Sequence, residues 1–325
     1  MRRREFMVAA AAVVWPLPGR AQRRPGTIAV VLPTSQPAAG ATWRNLAAFR
    51  HGLLESGIAN DDADRVLVRW ADGDMRLARA HMVTLIAEGA DVLVTPSFPI
   101  SEVAAQLPSS VPIVTVSSDP VGTGLVTSLA RPGRNVTGLS YMTPELNAKR
   151  LELLKEAIPT LRRVAVLMNP SNRHEALGLA RARDAADILQ IDLQTIAYDR
   201  VEELEDALLR AIAARTDALF PFENVITATH YRRIIEFANH HRLPTMFELT
   251  DFAASGAFMT YGPSYRELFT RAGVFAGRLL RGASPADLPV EQPTRLELAI
   301  NTATARTLGI SFPPALLVRA DEVIE

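Results

Sequence analysis

Short polar and aromatic loops follow the apolar runs of this chain, and their side chains suit the binding of a small zwitterion. Ser97 and Ser101 lie at the start of an apolar stretch, where a hydroxyl and free helix N–H groups can hold a carboxylate. Asp119 or Glu223 can hold an ammonium group. The rings that can stack on a flat or apolar side chain are Phe98, Phe222 and Tyr261. The pattern predicts a site that holds an amino-acid-like molecule without transforming it.

The other candidates occupy the same kind of position, directly after a predicted strand. In open parallel sheets, ligands bind beyond the carboxyl ends of the strands. The remaining candidate ligand-binding residues are Thr34, Ser35, Ser118 and Asn169. Each loop also has a structural interpretation, because Asn-Pro and Asp-Pro mark turns and Ser or Asn before a helix is usually a cap.

Catalytic and metal-binding motifs are missing from the sequence. It has no phosphate loop ending in Gly-Lys-Ser/Thr, no Gly-x-Ser-x-Gly elbow and no His-Glu-x-x-His. The lack of cysteine excludes disulfides, thiol nucleophiles, thiolate metal sites and a lipidated N-terminal cysteine. We therefore expect a binding protein rather than an enzyme, with no cofactor and no metal. The alternative is a cleft racemase or hydrolase that works through Asp119, Glu223 or Asp251.

Apolar runs rich in β-branched residues alternate with longer helical patterns. Runs that are apolar at every position, such as Ile28–Leu32 and Val164–Met168, are typical of parallel strands covered on both faces. The predicted strands are 27–32, 66–70, 91–95, 111–116, 136–141, 164–168, 193–197, 218–220, 244–247 and 257–261. The predicted helices are 42–56, 75–88, 145–157, 175–188, 201–214, 227–241 and 265–281, the last with a capping box at Ser264 and Glu267. The alternation predicts an α/β architecture with parallel sheets.

A Pro/Gly turn at residues 130–135 separates two groups of strands and helices. We expect two similar lobes joined by crossing segments, with the ligand between them. Lobe 1 is predicted to comprise residues 22–140 plus about 263–285, and lobe 2 residues 141–262 plus about 286–325. The pattern does not decide whether the last segment, residues 296–325, packs on lobe 1 or on lobe 2. In this arrangement Phe98 and Phe222 are expected to sandwich the apolar part of the ligand.

The first residues have the pattern of an export signal. Three arginines at 2–4 precede an apolar run, 7–17, that is too short to span a bilayer, and small residues fit cleavage between Ala21 and Gln22. Residues 1–21 are predicted to be a signal peptide with twin-arginine character, and the mature protein is expected in the periplasm. Cleavage removes four arginines and one glutamate from 35 basic and 35 acidic residues, which leaves a net charge of −3. We expect no nucleic-acid partner, because such partners usually need a concentrated basic face.

Four long strings carry a resemblance to a known family. They are Ser-Leu-Ala-Arg-Pro-Gly-Arg-Asn-Val-Thr-Gly at 128–138, Ala-Lys-Arg-Leu-Glu-Leu-Leu at 148–154, Ala-Asp-Leu-Pro-Val-Glu-Gln-Pro-Thr at 286–294 and Arg-Ala-Asp-Glu-Val-Ile-Glu at 319–325. The chain resembles, nearly end to end, the substrate-binding proteins of a subgroup of ABC transporters. The better-understood relatives in that subgroup bind tryptophan or tyrosine.

The resemblance implies a type I periplasmic-binding-protein fold. That fold has two α/β lobes, each a parallel sheet flanked by helices, a hinge of crossing segments and a ligand in the cleft. It implies a monomer that delivers its ligand to an inner-membrane ABC permease with a cytoplasmic ATPase. By this resemblance, the positions that match the family's ligand-binding loops are Ser97, Ser118-Asp119, Asn169 and Tyr261-Gly262. The family's small-residue run after the third strand, typically Gly-Thr-Pro-Ala, is replaced here by Pro96-Ser-Phe-Pro-Ile100, so Phe98 can narrow the pocket or supply a stacking face.

Two other binding functions use the same two-lobe fold. A DNA-binding repressor needs a helix-turn-helix ahead of the first lobe. Here the predicted export signal precedes Thr27, so we do not expect a repressor. A periplasmic sensor that signals to a receptor kinase has no sequence feature that separates it from a transport protein. The sensor therefore remains an alternative to transport.

Overall fold

The computed structural model describes residues 26–36, 45–58, 65–141 and 143–325. The predicted signal peptide, 1–21, lies outside these residues. Among the helices within them, none is both long enough and apolar enough to cross a membrane.

Five fully parallel strands form the first sheet. They are β1 (Ile28–Leu32), β2 (Val66–Trp70), β3 (Val92–Thr95), β4 (Ile113–Ser117) and β5 (Val136–Ser140), in the order β2-β1-β3-β4-β5. Helix α1 (Leu46–Glu55) covers one face, and α2 (Met75–Ala87) and α3 (Phe98–Ala105) cover the other. Both sets of alternate side chains of β1 are therefore buried, which is why its sequence is apolar throughout.

Seven strands form the second sheet, in two hydrogen-bonded groups. They are β6 (Arg163–Met168), β7 (Asp192–Ala197), β8 (Ala218–Pro221), β9 (Met246–Phe247), β10 (Met259–Pro263), β11 (Leu296–Asn301) and β12 (Glu322–Ile324). The orders are β7-β6-β8 and β9-β10-β11-β12, and a bridge between Leu219 and Thr245 joins the groups. All pairings are parallel except that of β10 with β11.

Most of the later helices pack on the second sheet, and one returns to the first. The helices are α4 (Thr143–Ala157), α5 (Arg173–Leu189), α6 (Leu204–Ala213), α7 (Val225–His240), α8 (Tyr265–Leu280), α9 (Thr302–Leu308) and α10 (Pro314–Arg319). Phe269 and Phe275 of α8 share the core of the first lobe with Phe49 of α1. These two helices approach so closely that a Cβ on Gly52 would clash with the backbone carbonyl of Thr270.

Within the described residues, the chain crosses between the two sheets three times: from β5 into α4, from β10 into α8, and from residue 291 into β11. Before the third crossing, the Val290 N–H donates to the Leu129 carbonyl at 2.7 Å and the Glu291 N–H donates to the Gly138 carbonyl at 3.0 Å. This stretch, which the sequence pattern groups with lobe 2, lies beside β5 of the first sheet. The last segment, whose lobe the sequence leaves open, supplies β11 and β12 of the second sheet.

The predicted alternation of strands and helices is confirmed. The ten predicted strands are all present, with ends that differ by no more than two residues from those observed. The Ser264 hydroxyl accepts a hydrogen bond from the Glu267 N–H at 3.4 Å, which confirms the Ser264 half of the predicted capping box. Sequence reasoning gave no range for α3, β11, β12, α9 or α10.

Candidate ligand-binding site

A cavity of about 460 Å³ lies between the lobes. Its walls are the loops at the carboxyl ends of β1, β3 and β4 on one side and of β6 and β8 on the other, with contributions from α7 and α8. The volume suits a small molecule. The predicted residues that line it are Thr34, Ser35, Ser97, Phe98, Ser118 and Glu223.

The first lobe offers neutral hydrogen-bonding groups to this cavity. Ser97 is the N-cap of α3 and makes no side-chain capping bond. The hydroxyl oxygens of Ser97 and Ser118 are buried and have no hydrogen-bond partner in the described part of the chain. The first N–H groups of α3 have no acceptor within the helix, as at any helix start. Together these groups suit a ligand carboxylate.

Ser101, the other serine predicted to face a carboxylate, lies beneath this turn. Its hydroxyl is fully buried, 2.8 Å from Thr95 Oγ1 and 2.7 Å from Thr115 Oγ1. The same oxygen is 2.8 Å from the Ser97 carbonyl. Ser101 therefore holds the Ser97 turn against the ends of β3 and β4 and does not line the cavity.

The second lobe contributes a single carboxylate. Glu223 follows β8, is 8% exposed and is the only aspartate or glutamate among the described cavity residues. No lysine or arginine occurs in that same set. A wall with one acidic side chain and no basic one favours a ligand that carries a positive group. No trio of histidine, aspartate or glutamate side chains within the described ranges is placed to hold a metal ion.

Aromatic rings form much of the remaining wall. They are Trp70, Phe98, Tyr141, Tyr231, Tyr265 and Phe269. Tyr231 is fixed by stacking on Phe252, with ring centroids 4.1 Å apart and planes 10° apart. Of these six rings, sequence reasoning named only Phe98 as a site residue. Trp70 and Tyr141 end predicted strands and were detectable from that position, whereas the other three rings lie in helices and have no local signal.

Phe222 lies in the core of the second lobe, not in the cavity wall. It is 2% exposed, and its ring packs edge-on against Phe220 with centroids 5.2 Å apart. Residues two apart in an extended segment face the same side, so Phe222 follows Phe220 into the core and Glu223 turns towards the cleft. The expected sandwich with Phe98 therefore lacks its second ring.

Three other predicted residues are also outside the cavity wall, where they hold the local structure. The Asp119 carboxylate accepts from the Gly122 N–H at 2.7 Å. The Asn169 side-chain oxygen accepts from the Ser171 N–H at 2.8 Å. Tyr261 is half-buried and its carbonyl accepts from Arg150 Nε at 2.6 Å. For Asp119 and Asn169, the turn interpretation of the loop fits the observed bonds.

His174 is a cavity residue that sequence reasoning missed. Its side chain is almost fully buried, and its Nδ1 has no hydrogen-bond partner within the described residues. Burial, together with the positive charge of Arg150, lowers the pKa of His174 to about 3. The imidazole is therefore neutral at physiological pH and is an uncharged hydrogen-bonding group in the cavity wall.

We expect His174 to stay neutral down to about pH 4, because its folded-state pKa lies far below the ordinary value of 6.5. Below pH 6.5 the unfolded chain gains a proton here that the folded protein does not, so this residue lowers stability as the pH falls. Nitrogen-15 NMR of histidine-labelled protein tests this, with His174→Asn to identify the signal. A signal that disappears in His174→Asn but titrates near pH 6.5 in the wild type would contradict the expectation.

Arg150 is fully buried below the cleft, near two of the crossings. Its Nη1 donates to Asn147 Oδ1 at 2.7 Å and lies 3.6 Å from Glu248 Oε2. Burial lowers the pKa of Arg150, while the charges of Glu248 and Glu223 raise it. The guanidinium remains charged and offsets the charge of Glu248, its ion-pair partner.

Two α/β lobes, joined by crossing segments around a cavity, define the type I periplasmic-binding-protein fold. The sequence matches the ABC transporter substrate binding protein family over residues 27–324, and the chain belongs to that family. The fold and the family predicted from the sequence are thus confirmed.

Several known proteins are similar to this chain. A tyrosine-binding protein of Clostridioides difficile (strain R20291) is 27% identical over 265 residues, which cover 81% of this chain and 75% of that protein. The crystal structure of a conserved domain protein from Vibrio cholerae O1 biovar El Tor has a TM-score of 0.81 at 26% identity, covering 92% of this chain and 100% of the other. A Streptococcus pneumoniae ABC domain in complex with L-Trp has a TM-score of 0.79 at 23% identity with the same coverage.

Proposed function

We propose that this protein binds an amino acid with an aromatic side chain in the periplasm and delivers it to the permease of an ATP-driven ABC importer. The observation that carries the proposal is the composition of the cavity wall. It combines Glu223, neutral donors and aromatic rings, with no lysine or arginine among the described wall residues. The names of two similar proteins, one tyrosine-binding and one with bound L-Trp, support the same ligand class.

In this proposal the two ends of the ligand contact opposite lobes. Its ammonium group lies at Glu223 of the second lobe, and its carboxylate lies at Ser97, Ser118 and the start of α3 in the first. A ligand shifts the equilibrium between open and closed lobes only by binding one state more tightly. A zwitterion that needs groups from both lobes stabilises the closed state, which the permease then recognises. The protein acts as a monomer and releases its ligand unchanged.

Calorimetry with four related ligands tests the proposal. The protein from Gln22 onward is unfolded and refolded to remove any co-purified ligand, then titrated with L-tryptophan, L-tyrosine, tryptamine and indole-3-propionate. We expect an amino acid to bind, and indole-3-propionate to bind at least about tenfold more weakly, because it has no cation to hydrogen-bond to Glu223. Equal affinity for indole-3-propionate would refute the zwitterion site. No binding of any common amino acid would refute amino-acid capture, and turnover of a bound ligand would reveal an enzyme.

A further inference from the structure

Glu175 is a fully buried carboxylate just behind the cavity wall, at the third residue of α5. It accepts three hydrogen bonds: from the Asn169 N–H at 2.9 Å, from Asn172 Nδ2 at 2.9 Å and from Asn224 Nδ2 at 3.2 Å. All three partners are donors. Glu175 does not itself line the cavity, and the proposed ligand contacts do not involve it.

Two of these donors are the N-caps of neighbouring helices. Asn172 Oδ1 accepts from the His174 N–H at 3.1 Å at the start of α5. Asn224 Oδ1 accepts from the Thr227 N–H at 2.9 Å at the start of α7. Each amide oxygen caps its own helix, and each amide nitrogen is thereby directed to Glu175. One carboxylate thus joins the two helix starts that form the second-lobe wall.

The joined helix starts carry the polar wall residues Asn172, His174, Glu223 and Asn224. Further contacts hold the start of α7 in place. Asn224 Nδ2 donates to the Tyr198 hydroxyl at 3.1 Å, and that hydroxyl is 2.8 Å from Thr227 Oγ1. We propose that Glu175 is a positioning residue that holds these two helix starts in the geometry that binds the ligand. The affinity test of this inference rests on the proposed function.

The hydrogen bonds between Glu175 and the two helix starts are expected to depend on pH. Burial raises the pKa of Glu175 to about 8, with a further contribution from the charge of Glu248, against the three hydrogen bonds that lower it. The other titratable groups close by are Tyr198, whose pKa is raised by burial and by the charges of Glu175 and Glu223, and the neutral His174. Protonation would place an O–H on Glu175 among three donors, none of which can accept it, and would remove one position that accepts a hydrogen bond. Ligand affinity is therefore expected to rise as the pH increases through about 8.

Glu175→Gln tests the inference, with Glu152→Gln as the matched control. Glu152 lies on the surface of α4, paired with Lys149 at 2.8 Å, so its substitution changes the same charge away from the cavity. At about pH 8.5, where most of Glu175 is ionised, we expect Glu175→Gln to weaken L-tryptophan or L-tyrosine binding by about tenfold, since a lost bond to a charged group has that effect. At about pH 6.5, where the wild-type carboxyl is protonated, the affinities of the two proteins should differ much less. The dissociation constant of this variant should not change between about pH 6.5 and 8.5, whereas that of the control should change as in the wild type.

Hydrogen exchange of the ligand-free proteins supplies a readout that does not depend on ligand identity. Segments 169–175 and 223–228 should exchange faster in Glu175→Gln and normally in Glu152→Gln. If the wild type binds neither amino acid, the proposed function fails, and hydrogen exchange alone then decides the positioning role of Glu175. Unchanged exchange of both segments in Glu175→Gln would overturn that role. If the wild type does bind, the same affinity and the same pH profile in Glu175→Gln would also overturn it.

A second variant keeps the test decisive if Glu175→Gln does not fold. Asn172→Ser with Asn224→Ser retains an oxygen to cap each helix but removes both amide donors to Glu175. We expect the same loss of affinity and the same faster exchange in the two segments. Unchanged affinity and exchange in this double variant would overturn the proposal.

Discussion

Replacing Glu223 by glutamine is expected to weaken the binding of L-tryptophan or L-tyrosine by about 10- to 100-fold. A hydrogen bond to a charged group contributes about 1.5–3 kcal/mol, and each 1.4 kcal/mol is a factor of ten in affinity. Glu223 is 8% exposed, so water only weakly screens its interaction with an ammonium group. Isothermal titration calorimetry of wild type and variant at the same pH and ionic strength measures the loss.

Asp119→Asn is the matched control for this substitution. The sequence offers Asp119 as an equal candidate for the ammonium group, but its carboxylate accepts from the Gly122 N–H in its own turn. We expect Asp119→Asn to leave ligand affinity unchanged. Tryptamine should lose affinity in Glu223→Gln as the amino acids do, whereas indole-3-propionate should not. The reverse result, with Asp119→Asn weakening binding and Glu223→Gln neutral, would move the ammonium site to the first lobe.

Replacing Arg150 by methionine is expected to lower the free energy of unfolding by about 3–5 kcal/mol, because it breaks a buried ion pair by removing one partner. Arg150 is fully buried, and the change removes its donors to the Tyr261 carbonyl and to Asn147. It also removes the positive charge that faces Glu248, which is 3% exposed. Urea unfolding of ligand-free protein, followed by far-ultraviolet circular dichroism, measures the change.

Arg319→Met makes the same substitution at a surface ion pair. Arg319 lies 2.6 Å from Glu156, and the two side chains are 49% and 36% exposed. Surface pairs of this kind contribute about 1 kcal/mol or less, so the control should unfold close to the wild type. Adding Glu248→Gln to Arg150→Met should restore part of the lost stability, because it removes the uncompensated charge. A loss below about 1 kcal/mol in Arg150→Met would show that the buried charge is not needed.

Much of the fold was predictable because its signals are local. A strand covered on both faces is apolar nearly throughout, and β1, Val92–Val94 of β3 and Val164–Met168 of β6 have that pattern in the sequence. Parallel strands place their carboxyl ends at one edge of a sheet, which predicted the cleft and its loops at Ser97, Ser118 and Glu223. The elements from residue 296 onward were not predictable in this way, because their sequences are not apolar throughout.

The sequence by itself determined the two-lobe α/β architecture, the family and the loops that border the cleft, because strand runs and long motifs are read along the chain. Only the tertiary structure decided which side chains of those loops face the cavity. Phe222 and Glu223 are neighbours in sequence, yet one enters the core and the other the cavity. Arg150 and the Tyr261 carbonyl are 111 residues apart, and His174 reaches the cavity from a helix start. Side-chain direction at a strand end and pairing across long separations depend on how layers pack, and a linear pattern does not contain that information.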